Sequence, residues 1–542
     1  MAKKIQTQSQ QSAVHSVANR FWKLSLLVLL ISIGIYYIIK EYHHEMPTSL
    51  KPLNDKLKEF LYETWYTLSF STNVIYNKLF YNNDRTRLNV ILEQLLEAEH
   101  NVSISKSSRI AIGLGVCTDL VIRALDVLDQ FKSPIDAKPH DHIDSWNKFI
   151  ELFAYYFQRG VASERYIESK EVFNKLISLI DEKKIQKNEA IGSNAPLISI
   201  RFAREGFENI LLGAQITDKL SKKFPNNIQI SGPIIDQDDY HVILEYNTNE
   251  KWDQYKSPRA NRLIVHSDDN NVKLLSRTKF FEQLRHFKPD ILVLTGLHML
   301  DNSPIDFHIR TQAIENLAKD LERFRENNQA FRTHFEMAAF TENRLLDSVV
   351  NQIFPHMDSF GMNEQEAANL LSLMKFGNIS YSSNPFPRVA HVLDEMRELF
   401  ALLESIGNGR VSRIHVHTLA YQVVMTKIDS KSKQSIWKSN KAAMAKASLT
   451  AYRYTCNLPE IDLKRVNILL DDSFAMTMDE TNIERIELDQ AIRCWEENIE
   501  SELILNKTRV QICLAIGMVC TDVVQTVGAG DNISASGLML QI

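Results

Sequence analysis

The sequence predicts an α/β fold in which a mostly parallel sheet is covered by helices on both faces and carries a smaller inserted domain. Apolar runs short enough for buried strands alternate with helical stretches along most of the chain, a pattern typical of parallel sheets with crossover helices. The segments 131–190 and 235–265 break this alternation and predict the insertion. The 542 residues suffice for one large α/β domain with insertions, or for two or three domains.

Composition and charge narrow the class of protein. Hydrophobic residues make up 44% of the chain and charged residues 24%, which is ordinary for a globular protein. The net charge is −5 and no basic stripe with interleaved aromatic residues is present, so no nucleic-acid partner is expected. The five cysteines lack C-x-x-C spacing, which excludes a standard zinc or thioredoxin motif, and their odd number leaves at least one thiol unpaired.

The N-terminal region predicts a membrane anchor. Residues 1–20 are polar and predict a cytosolic tail, while 21–40 are largely apolar over about the 20 residues that a bilayer-spanning helix needs. Aromatic residues near both ends and a basic flank favour an N-terminus in the cytosol. No clear cleavage site follows, so an uncleaved transmembrane signal anchor is expected. A removed signal peptide and a buried helix of a soluble protein are the alternatives.

A helical stalk or N-terminal layer is predicted over 41–100, and the main domain over 101–542. With the N-terminus in the cytosol, both segments would lie in the lumen of the secretory pathway. We expect the protein to be in the endoplasmic reticulum, either anchored in its membrane or free in its lumen. The N-x-S/T sites are compatible with that location, although such sites occur often by chance.

The first buried strand is predicted over 109–119, an apolar run that ends in small residues and Asp119. Because ligands collect beyond the carboxyl ends of parallel strands, Asp119 is a candidate site residue, with a loop-capping aspartate as the alternative. Further strands are predicted near 210–216, 240–246, 260–266, 290–296, 332–338, 413–419 and 509–516. Helices are predicted over 307–328, 341–352, 364–375, 391–405 and 438–453, and loops over 183–193 and 427–440.

The motif around which the chain is organised lies near its end, where Gly528, Ala529, Gly530 and Asp531 precede a run of small residues. Two glycines around one small residue allow a tight turn, and the next helix would point its free N–H groups back at that turn. Such a place attracts anions. Asp531 could take a proton from an attacking hydroxyl there. An ordinary glycine turn before a helix is the alternative.

Four other groups could carry chemistry, and three of them involve amide, guanidinium or carboxylate side chains. Asn194 offers an amide in a short turn, and Arg262 enters a predicted strand from which it could fork onto a phosphate. Glu336 ends a predicted strand. Glu366 follows Asn363 by three residues, so on a helix the two share a face, with a capping box as the alternative. Mg²⁺ binds through one or two carboxylates, which Glu336 and Glu366 could supply directly or through water.

The fourth group is the histidine pair His415 and His417, which alternation places on one side of a predicted strand. Two histidines so placed could bind a metal, as in a metal hydrolase, but no cysteine or third histidine joins them in the sequence. A flat wall beside a purine is the preferred interpretation, and satisfied core histidines are the alternative.

The pair Asn363-x-x-Glu366 followed by Gly528-x-Gly530-Asp531 resembles the ADP-dependent sugar kinases of the ribokinase superfamily. The resemblance covers roughly 108–542 and extends to longer runs in the family's order, which are ILEY at 243–246, ANR at 260–262, TGLHM at 295–299, GMNEQE at 361–366 and RIHVHTL at 413–419. It implies a ribokinase-like large domain with the insertion as a lid. It also implies phosphoryl transfer from ADP to the 6-hydroxyl of glucose with Mg²⁺, which gives AMP and glucose 6-phosphate.

The resemblance further implies a role for each candidate residue. The catalytic set is Asp531 as the base, Gly528, Ala529 and Gly530 as the anion hole, and Arg262 on the phosphates. The metal set is Glu336, Glu366 and Asp531, acting on a hydrated ion. The remaining nucleotide contacts are Asn363, His415 and His417, and the sugar contacts are Asp119, Glu164, Asn194 and His241.

Two departures from the family pattern bear on substrate affinity rather than on reaction type. Cys117 stands where archaeal members have an asparagine, and Gln525 stands near the place of a frequent basic residue. A kinase for another hexose, for fructose 6-phosphate or with ATP is the first alternative. A catalytically weak or silent sugar- or nucleotide-binding membrane protein is the second. A monomer is expected.

Overall fold

A computed structural model of the chain describes residues 87–326, 331–380, 386–479, 481, 484–500, 503 and 507–542. The predicted tail, the predicted anchor and the stalk up to residue 86 lie outside these ranges. Within the part of the chain that the structure describes, no helix has both the length and the apolar character needed to cross a membrane. Leu88–Ile542 form one compact unit.

The α-helices of the described residues are numbered in chain order. They are α1 (87–100), α2 (Ala124–Leu128), α3 (Trp146–Arg159), α4 (Lys170–Glu182), α5 (Asn194–Arg204), α6 (Asp218–Ser221), α7 (Arg277–Phe287), α8 (Phe307–Glu326), α9 (Asn343–Gln352), α10 (Glu364–Phe376), α11 (Val389–Ile406), α12 (Asn440–Thr455) and α13 (Ala529–Met539).

The strands are numbered in the same way. They are β1 (Arg109–Gly113), β2 (Cys117–Arg123), β3 (Ser163–Tyr166), β4 (Asn188–Gly192), β5 (Asn209–Gly213), β6 (Ile228–Ser231), β7 (Tyr240–Tyr246), β8 (Lys251–Trp252), β9 (Tyr255–Lys256), β10 (Asn261–His266), β11 (Ile291–Leu294), β12 (Arg332–Glu336), β13 (Ser359–Asn363), β14 (Arg413–His417), β15 (Tyr421–Lys427), β16 (Val466–Asn467), β17 (Ser473–Ala475), β18 (Arg485–Glu487), β19 (Ile492–Ile499), β20 (Thr508–Ile516) and β21 (Val519–Cys520).

The larger sheet has ten strands in the order β19-β20-β15-β14-β13-β12-β11-β1-β5-β6. The seven strands from β14 to β6 are parallel, and β15, β20 and β19 add an antiparallel edge. Neighbouring residues of β1 pack on opposite faces, with Ile110 and Ile112 beside residues of α5 and α13, and Ala111 beside residues of α7 and α8. The predicted α/β fold with a mostly parallel sheet and helices on both faces is thus confirmed.

The predicted helices and most predicted strands correspond to observed elements. The strands are β5, β7, β10, β11, β12, β14 and β20, and the helices are α8, α9, α10, α11 and α12. The predicted loop over 427–440 lies between β15 and α12 apart from its end residues. The other predicted loop, 183–193, is wrong in part, because residues 188–192 form β4 and pair antiparallel with β2.

The smaller sheet has the strand order β3-β10-β7-β2-β4 and packs on α2, α3 and α4 through its own apolar core. Both predicted insertions, 131–190 and 235–265, contribute strands to it, but so does β2, which precedes them. The predicted strand over 109–119 is therefore wrong as one element. The chain turns at Gly115, whose φ of +89° suits glycine, and leaves the larger sheet before Cys117. As a result, Asp119 lies within β2 of the smaller sheet.

Two disulfides link elements of the larger sheet and its surroundings. Cys456, just after α12, is bonded to Cys520 of β21, and Cys494 of β19 is bonded to Cys513 of β20. Among the described residues, Cys117 is the free cysteine, and it is buried. It is the unpaired thiol that the odd cysteine count predicted.

Helix α1 packs on the core of the larger sheet, and its residues fall in the segment predicted as a helical stalk or an N-terminal helical layer. Leu88, Ile91 and Leu95 are buried with the main apolar cluster. At the end of the helix, Glu99 accepts hydrogen bonds from Arg453 of α12 at 2.9 and 3.0 Å and forms an ion pair of 3.2 Å with Lys446. The side chains of Glu99 and Lys446 are only 10% and 7% exposed, so this contact is largely shielded from water.

We expect Glu99→Ala to lower the free energy of unfolding by about 3 kcal/mol, because it leaves two partly buried cations without this partner. Glu97→Ala removes an exposed carboxylate from the same helix and serves as the control, with an expected change within about 0.5 kcal/mol. Chemical denaturation followed by tryptophan fluorescence measures both. Equal losses in the two variants would show that α1 is not held by the Glu99 contacts.

Candidate active site

A cleft between the two sheets collects most of the predicted site residues. Its walls come from the smaller sheet, from the start of α5, and from the N-terminal turns of α10 and α13. The predicted residues that line it are Asp119, Glu164, Asn194, His241, Arg262, Asn363, Glu366, Gly528 and Asp531. The other five predicted residues, Ala529, Gly530, Glu336, His415 and His417, are not among the lining residues.

The turn that opens α13 is fixed by side chains on both sides of it. Gly528 has a φ of +71°, and a Cβ placed there would lie 2.5 Å from a methyl carbon of Leu197, so a glycine is required. Asn532 donates from Nδ2 to the Gly528 carbonyl at 2.8 Å, and Arg201 donates from Nε to Asn532 Oδ1 at 2.7 Å. Ala529 N–H already donates to the carbonyl of residue 526, so the free donors of the predicted anion hole are those of the following first-turn residues.

Asp531 lies in the first turn of α13 with its carboxylate buried beside the cleft. Asn194 donates from Nδ2 to Asp531 Oδ1 at 2.8 Å. Burial raises the pKa of Asp531 to about 6, while the Asn194 hydrogen bond and the charges of His298 and Arg262 oppose that rise. A carboxyl group with a pKa near neutrality can accept a proton from a bound hydroxyl group.

Asn363 and Glu366 form a capping box at the start of α10. Glu366 N–H donates to Asn363 Oδ1 at 2.8 Å, and Asn363 N–H donates to Glu366 Oε2 at 2.9 Å. The cap does not remove the pair from the site, since both residues line the cleft. Burial raises the pKa of Glu366 to about 7, and the negative charge of Asp531 adds to that rise. The two carboxylates therefore share one electrostatic environment.

Glu336 lies behind the cleft rather than in its wall. It is buried at the end of β12, where His334 Nε2 lies 3.0 Å from its Oε2. Burial raises the pKa of Glu336 well above its usual range, and the charges of Asp531 and Glu366 raise it further. Within the described ranges, Glu336, Glu366 and Asp531 are not among the groups whose ligand atoms all lie within 4.8 Å of one another. They could hold a cation together only through intervening water.

His415 and His417 lie beneath α13. A Cβ at Gly537 would lie 3.0 Å from His415 Cε1, and one at Gly530 would lie 3.0 Å from His417 Cε1. His415 is completely buried, and burial lowers its pKa well below the usual range and that of His417 to about 4. In this structure the helix covers both rings and neither histidine lines the cleft. The expectation that the strand with His415 and His417 borders a purine stays a prediction.

On the smaller sheet, Glu164 lies between two histidines. His241 Nδ1 is 3.2 Å from Glu164 Oε1, and His298 Nε2 is 3.2 Å from Glu164 Oε2. Burial opposes ionisation, but these contacts hold the pKa of Glu164 well below its usual range. His241 is bonded on its other side to Asp268, and that charge overcomes burial and raises the pKa of His241. An ionised carboxylate paired with two histidines thus faces the cleft.

Asp119 and Arg262 complete the cleft from the smaller sheet. Asp119 approaches the backbone of β4 so closely that a Cβ at Gly192 would lie 1.9 Å from its Oδ1. Burial raises the pKa of Asp119 to about 6, and the positive charge of Arg262 opposes this rise. Arg262 Nε is buried and has no hydrogen-bond partner among the described residues. Such a guanidinium donor can bond to an anion in the cleft.

Sequence reasoning missed three residues that shape this site. His298 lines the cleft, Asp268 orients His241, and Asn532 holds the Gly528 turn. His298 lies shortly after the end of β11, so the rule that ligands collect beyond the ends of parallel strands could have identified it. Nothing in the sequence indicates that Asp268 reaches the site. Asn532 directly follows Asp531 in the sequence, but its hydrogen bonds to Gly528 and Arg201 exist only in the folded chain.

The sequence of this chain is similar to those of known proteins. Residues 108–540 match the model of the ADP-specific phosphofructokinase/glucokinase conserved region. The chain belongs to this family. It is 31% identical to the ADP-dependent glucokinase of Bos taurus over 79% of this chain and 84% of that protein. It is 26% identical to the probable ADP-dependent glucokinase of Caenorhabditis elegans, over the same shares of the two chains.

Solved structures support the fold of this family. An ADP-dependent kinase in complex with fructose-6-phosphate and ADPβS matches with a TM-score of 0.59 and 17% identity, over 83% of this chain and 97% of that chain. A hypothetical ADP-dependent phosphofructokinase from Pyrococcus horikoshii OT3 matches with a TM-score of 0.52 and 15% identity, over 81% and 98%. At these identities the likeness concerns the fold alone.

Because the pKa of Glu366 is raised, we expect that replacing its carboxylate by a neutral amide increases the free energy of unfolding, and that the increase depends on pH. Because the folded-state pKa, about 7, exceeds the usual value of 4.5, the folded chain holds the proton more tightly and loses stability as pH rises between these values. Glu366→Gln retains an oxygen for the cap. We expect it to be more stable than the wild type by about 3 kcal/mol at pH 8 and by nearly nothing at pH 4.

Denaturation curves at the two pH values test this expectation. Glu398→Gln, which changes a half-exposed carboxylate on α11, is the control and should alter stability little at either pH. If Glu366→Gln destabilises the chain at pH 8, the cap rather than the buried charge dominates at this position.

Proposed function

We propose that this chain is an ADP-dependent glucokinase, which transfers the β-phosphoryl group of ADP to the 6-hydroxyl of glucose and releases AMP and glucose 6-phosphate. The observation that carries the proposal is the position of Asp531. Its carboxylate shares a cleft with Glu366, with an unpartnered arginine donor and with the free amides of α13. Membership of the family and the two glucokinase relatives support the choice of reaction.

Asp531 is the proposed base. With a pKa of about 6 it is mostly ionised at neutral pH, and it can accept the proton of a sugar hydroxyl as that oxygen attacks phosphorus. Asn194 holds the other side of the carboxylate through the bond to Oδ1. The amides at the start of α13 and the Arg262 guanidinium would stabilise negative charge on the phosphoryl oxygens during transfer.

The sugar side of the cleft offers acceptors for hydroxyl groups. Asp119 and Glu164 face the cleft from the smaller sheet, where carboxylates can accept hydrogen bonds from sugar hydroxyls. Arg262, His241 and His298 line the same cleft, so its charge alone does not exclude a phosphorylated sugar. The two glucokinase relatives are the reason to favour glucose over fructose 6-phosphate.

We also propose Mg²⁺ as the cofactor, held through water by Glu366 with support from Asp531. Burial and the charge of Asp531 raise the pKa of Glu366 to about 7, and a hard divalent ion with its waters would offset the negative charge gathered here. When bound, Mg²⁺ would neutralise charge on the diphosphate. Glu336, whose pKa burial raises well above its usual range, would support the site from behind the cleft.

The smaller sheet is the proposed lid. Two hydrogen bonds already cross the cleft, from Thr526 Oγ1 to Glu245 Oε1 at 2.8 Å and from Gln365 Nε2 to the Ala162 carbonyl at 3.3 Å. A lid that excludes water favours transfer to the sugar over hydrolysis of the nucleotide.

We further propose a monomer anchored in the endoplasmic reticulum membrane by residues 21–40, with the kinase domain in the lumen. The disulfides Cys456–Cys520 and Cys494–Cys513 support this location, because such bonds persist in oxidising compartments and are rare in the cytosol.

The decisive test supplies the purified chain with glucose, Mg²⁺ and one nucleotide at a time. We expect AMP and glucose 6-phosphate to form with ADP, and much less product with ATP or CDP. Asp531→Asn should keep sugar binding and reduce kcat by about 10³-fold, because it removes the base but little volume. Absence of AMP with the wild-type chain would favour the alternative of a silent sugar- or nucleotide-binding protein.

The pH profile of the reaction gives a second test. Because the base is the ionised form, kcat should rise as pH increases through about 6, the pKa of Asp531. Asn194 donates to the carboxylate and lowers its pKa, so Asn194→Ala should move the inflection to higher pH. A profile that does not move in this variant would indicate that another group is the base.

A further inference from the structure

A thiol, a carboxylate and an imidazole converge in the smaller sheet. Single ligand atoms of Cys117, Asp119 and His241 all lie within 4.8 Å of one another, and all three residues are buried. Alternation along β2 places Cys117 and Asp119 on one face, and β7 pairs His241 directly with Asp119. The Cys117 thiol donates a hydrogen bond to Asp119 Oδ1, with 3.3 Å between sulfur and oxygen. This is close to the separation of about 3.5 Å between sulfur and oxygen ligands of a tetrahedral zinc ion.

The proposed phosphoryl transfer makes no use of the Cys117 thiol. The other four cysteines are joined in disulfides, so Cys117 is the free thiol among the described residues, and it is buried. Thiolate, imidazole and carboxylate are the ligand types that Zn²⁺ takes in proteins, and three protein ligands with one open position are typical of accessible zinc sites.

We propose that Cys117, Asp119 and His241 bind a zinc ion in the cleft and that this ion competes with the sugar. The competition rests on the proposed function, whereas the metal site does not. On binding, the Cys117 thiol forms a sulfur–zinc bond and releases its proton to solvent, with no change in oxidation state. The ion reaches the site through the cleft, because Asp119 and His241 both line it.

The surroundings of His241 suit a metal ligand. Metal-bound imidazoles commonly donate their second ring N–H to a carboxylate, and Asp268 lies 3.0 Å from His241 Nε2. The ion would then bind Nδ1, which Glu164 Oε1 approaches to 3.2 Å, so zinc would replace this contact of the imidazole with Glu164. Asp268 is held in turn by Asn271, which donates from Nδ2 at 2.8 Å. Mg²⁺ would not replace zinc here, because it prefers octahedral oxygen ligands and keeps most of its waters.

A second group, formed by His241, His266 and Asp268, also has ligand atoms within 4.8 Å of one another. It is the weaker candidate for two reasons. Asp268 already lies 3.0 Å from each of the two histidines, and its side chain has no exposed surface. The second reason is that this group contains no sulfur ligand. Because the two groups share His241, the experiment distinguishes them by substituting Cys117, which belongs only to the first group, and His266, which belongs only to the second.

Co²⁺ is the spectroscopic probe, because a cobalt–thiolate bond gives a charge-transfer absorption band in the near ultraviolet. Titration of the full chain, purified without metal and kept under reductant that spares the disulfides, should give this band at one ion per chain. Added Zn²⁺ should remove it. Cys117→Ser should abolish the band, and His266→Gln should retain it. No band in the wild type, or a band that survives in Cys117→Ser, would overturn the proposal.

Competition is measured in the same samples. Glucose should displace Co²⁺ and reduce the band, and Zn²⁺ should raise the KM for glucose without lowering kcat. The zinc inhibition constant of Cys117→Ser should rise by more than the roughly 10–100-fold that follows loss of an outer-sphere partner. Inhibition that is lost in His266→Gln but kept in Cys117→Ser would assign the ion to the second group and overturn the proposal. A cobalt band in a chain without kinase activity would support the metal site and contradict the proposed function.

Discussion

The close approach of helix α13 to the larger sheet is the constraint on which the site depends. A side chain at Gly530 or Gly537 would meet the rings of His417 or His415 at 3.0 Å, and one at Gly361 would lie 2.2 Å from Glu336 Oε2. Contacts this short force neighbouring atoms to move. Because glycine has no side chain, the helix can pack closely on β13 and β14, which brings Asp531 near Glu366. The motif glycines therefore serve packing as well as the turn.

The cleft concentrates carboxyl groups whose ionised forms are destabilised by burial. Asp119, Glu366 and Asp531 have pKa values raised to between about 6 and about 7, whereas Glu164 is kept ionised by two histidines. A folded chain gains no stability from such an arrangement. Clusters of this kind occur where a bound ligand or ion supplies the missing positive charge, or where a proton must be exchanged near neutral pH.

Much of the fold and of the candidate site could be predicted from local patterns. The alternation of apolar runs predicted the parallel strands. The spacing of Asn363 and Glu366 predicted the start of a helix, and the structure confirms a capping box there. The path of β2 could not be predicted, because its residues continue the apolar run of β1 and only the turn at Gly115 separates them. The burial of His415 could not be predicted either, because the alternation pattern indicates on which face of the strand a side chain lies but not which element packs on that face.

The way the chain passes between the two sheets has a mechanical consequence. It crosses after β1, after β4, after β6 and after β10, so four separate backbone connections join the sheets. A single connection would allow the smaller sheet to rotate in any direction relative to the larger one. Four neighbouring connections resist twisting and sliding, so bending about one axis is the easiest relative motion of the two sheets. Any opening of the cleft should therefore return Arg262 to nearly the same place over the start of α13 each time it closes.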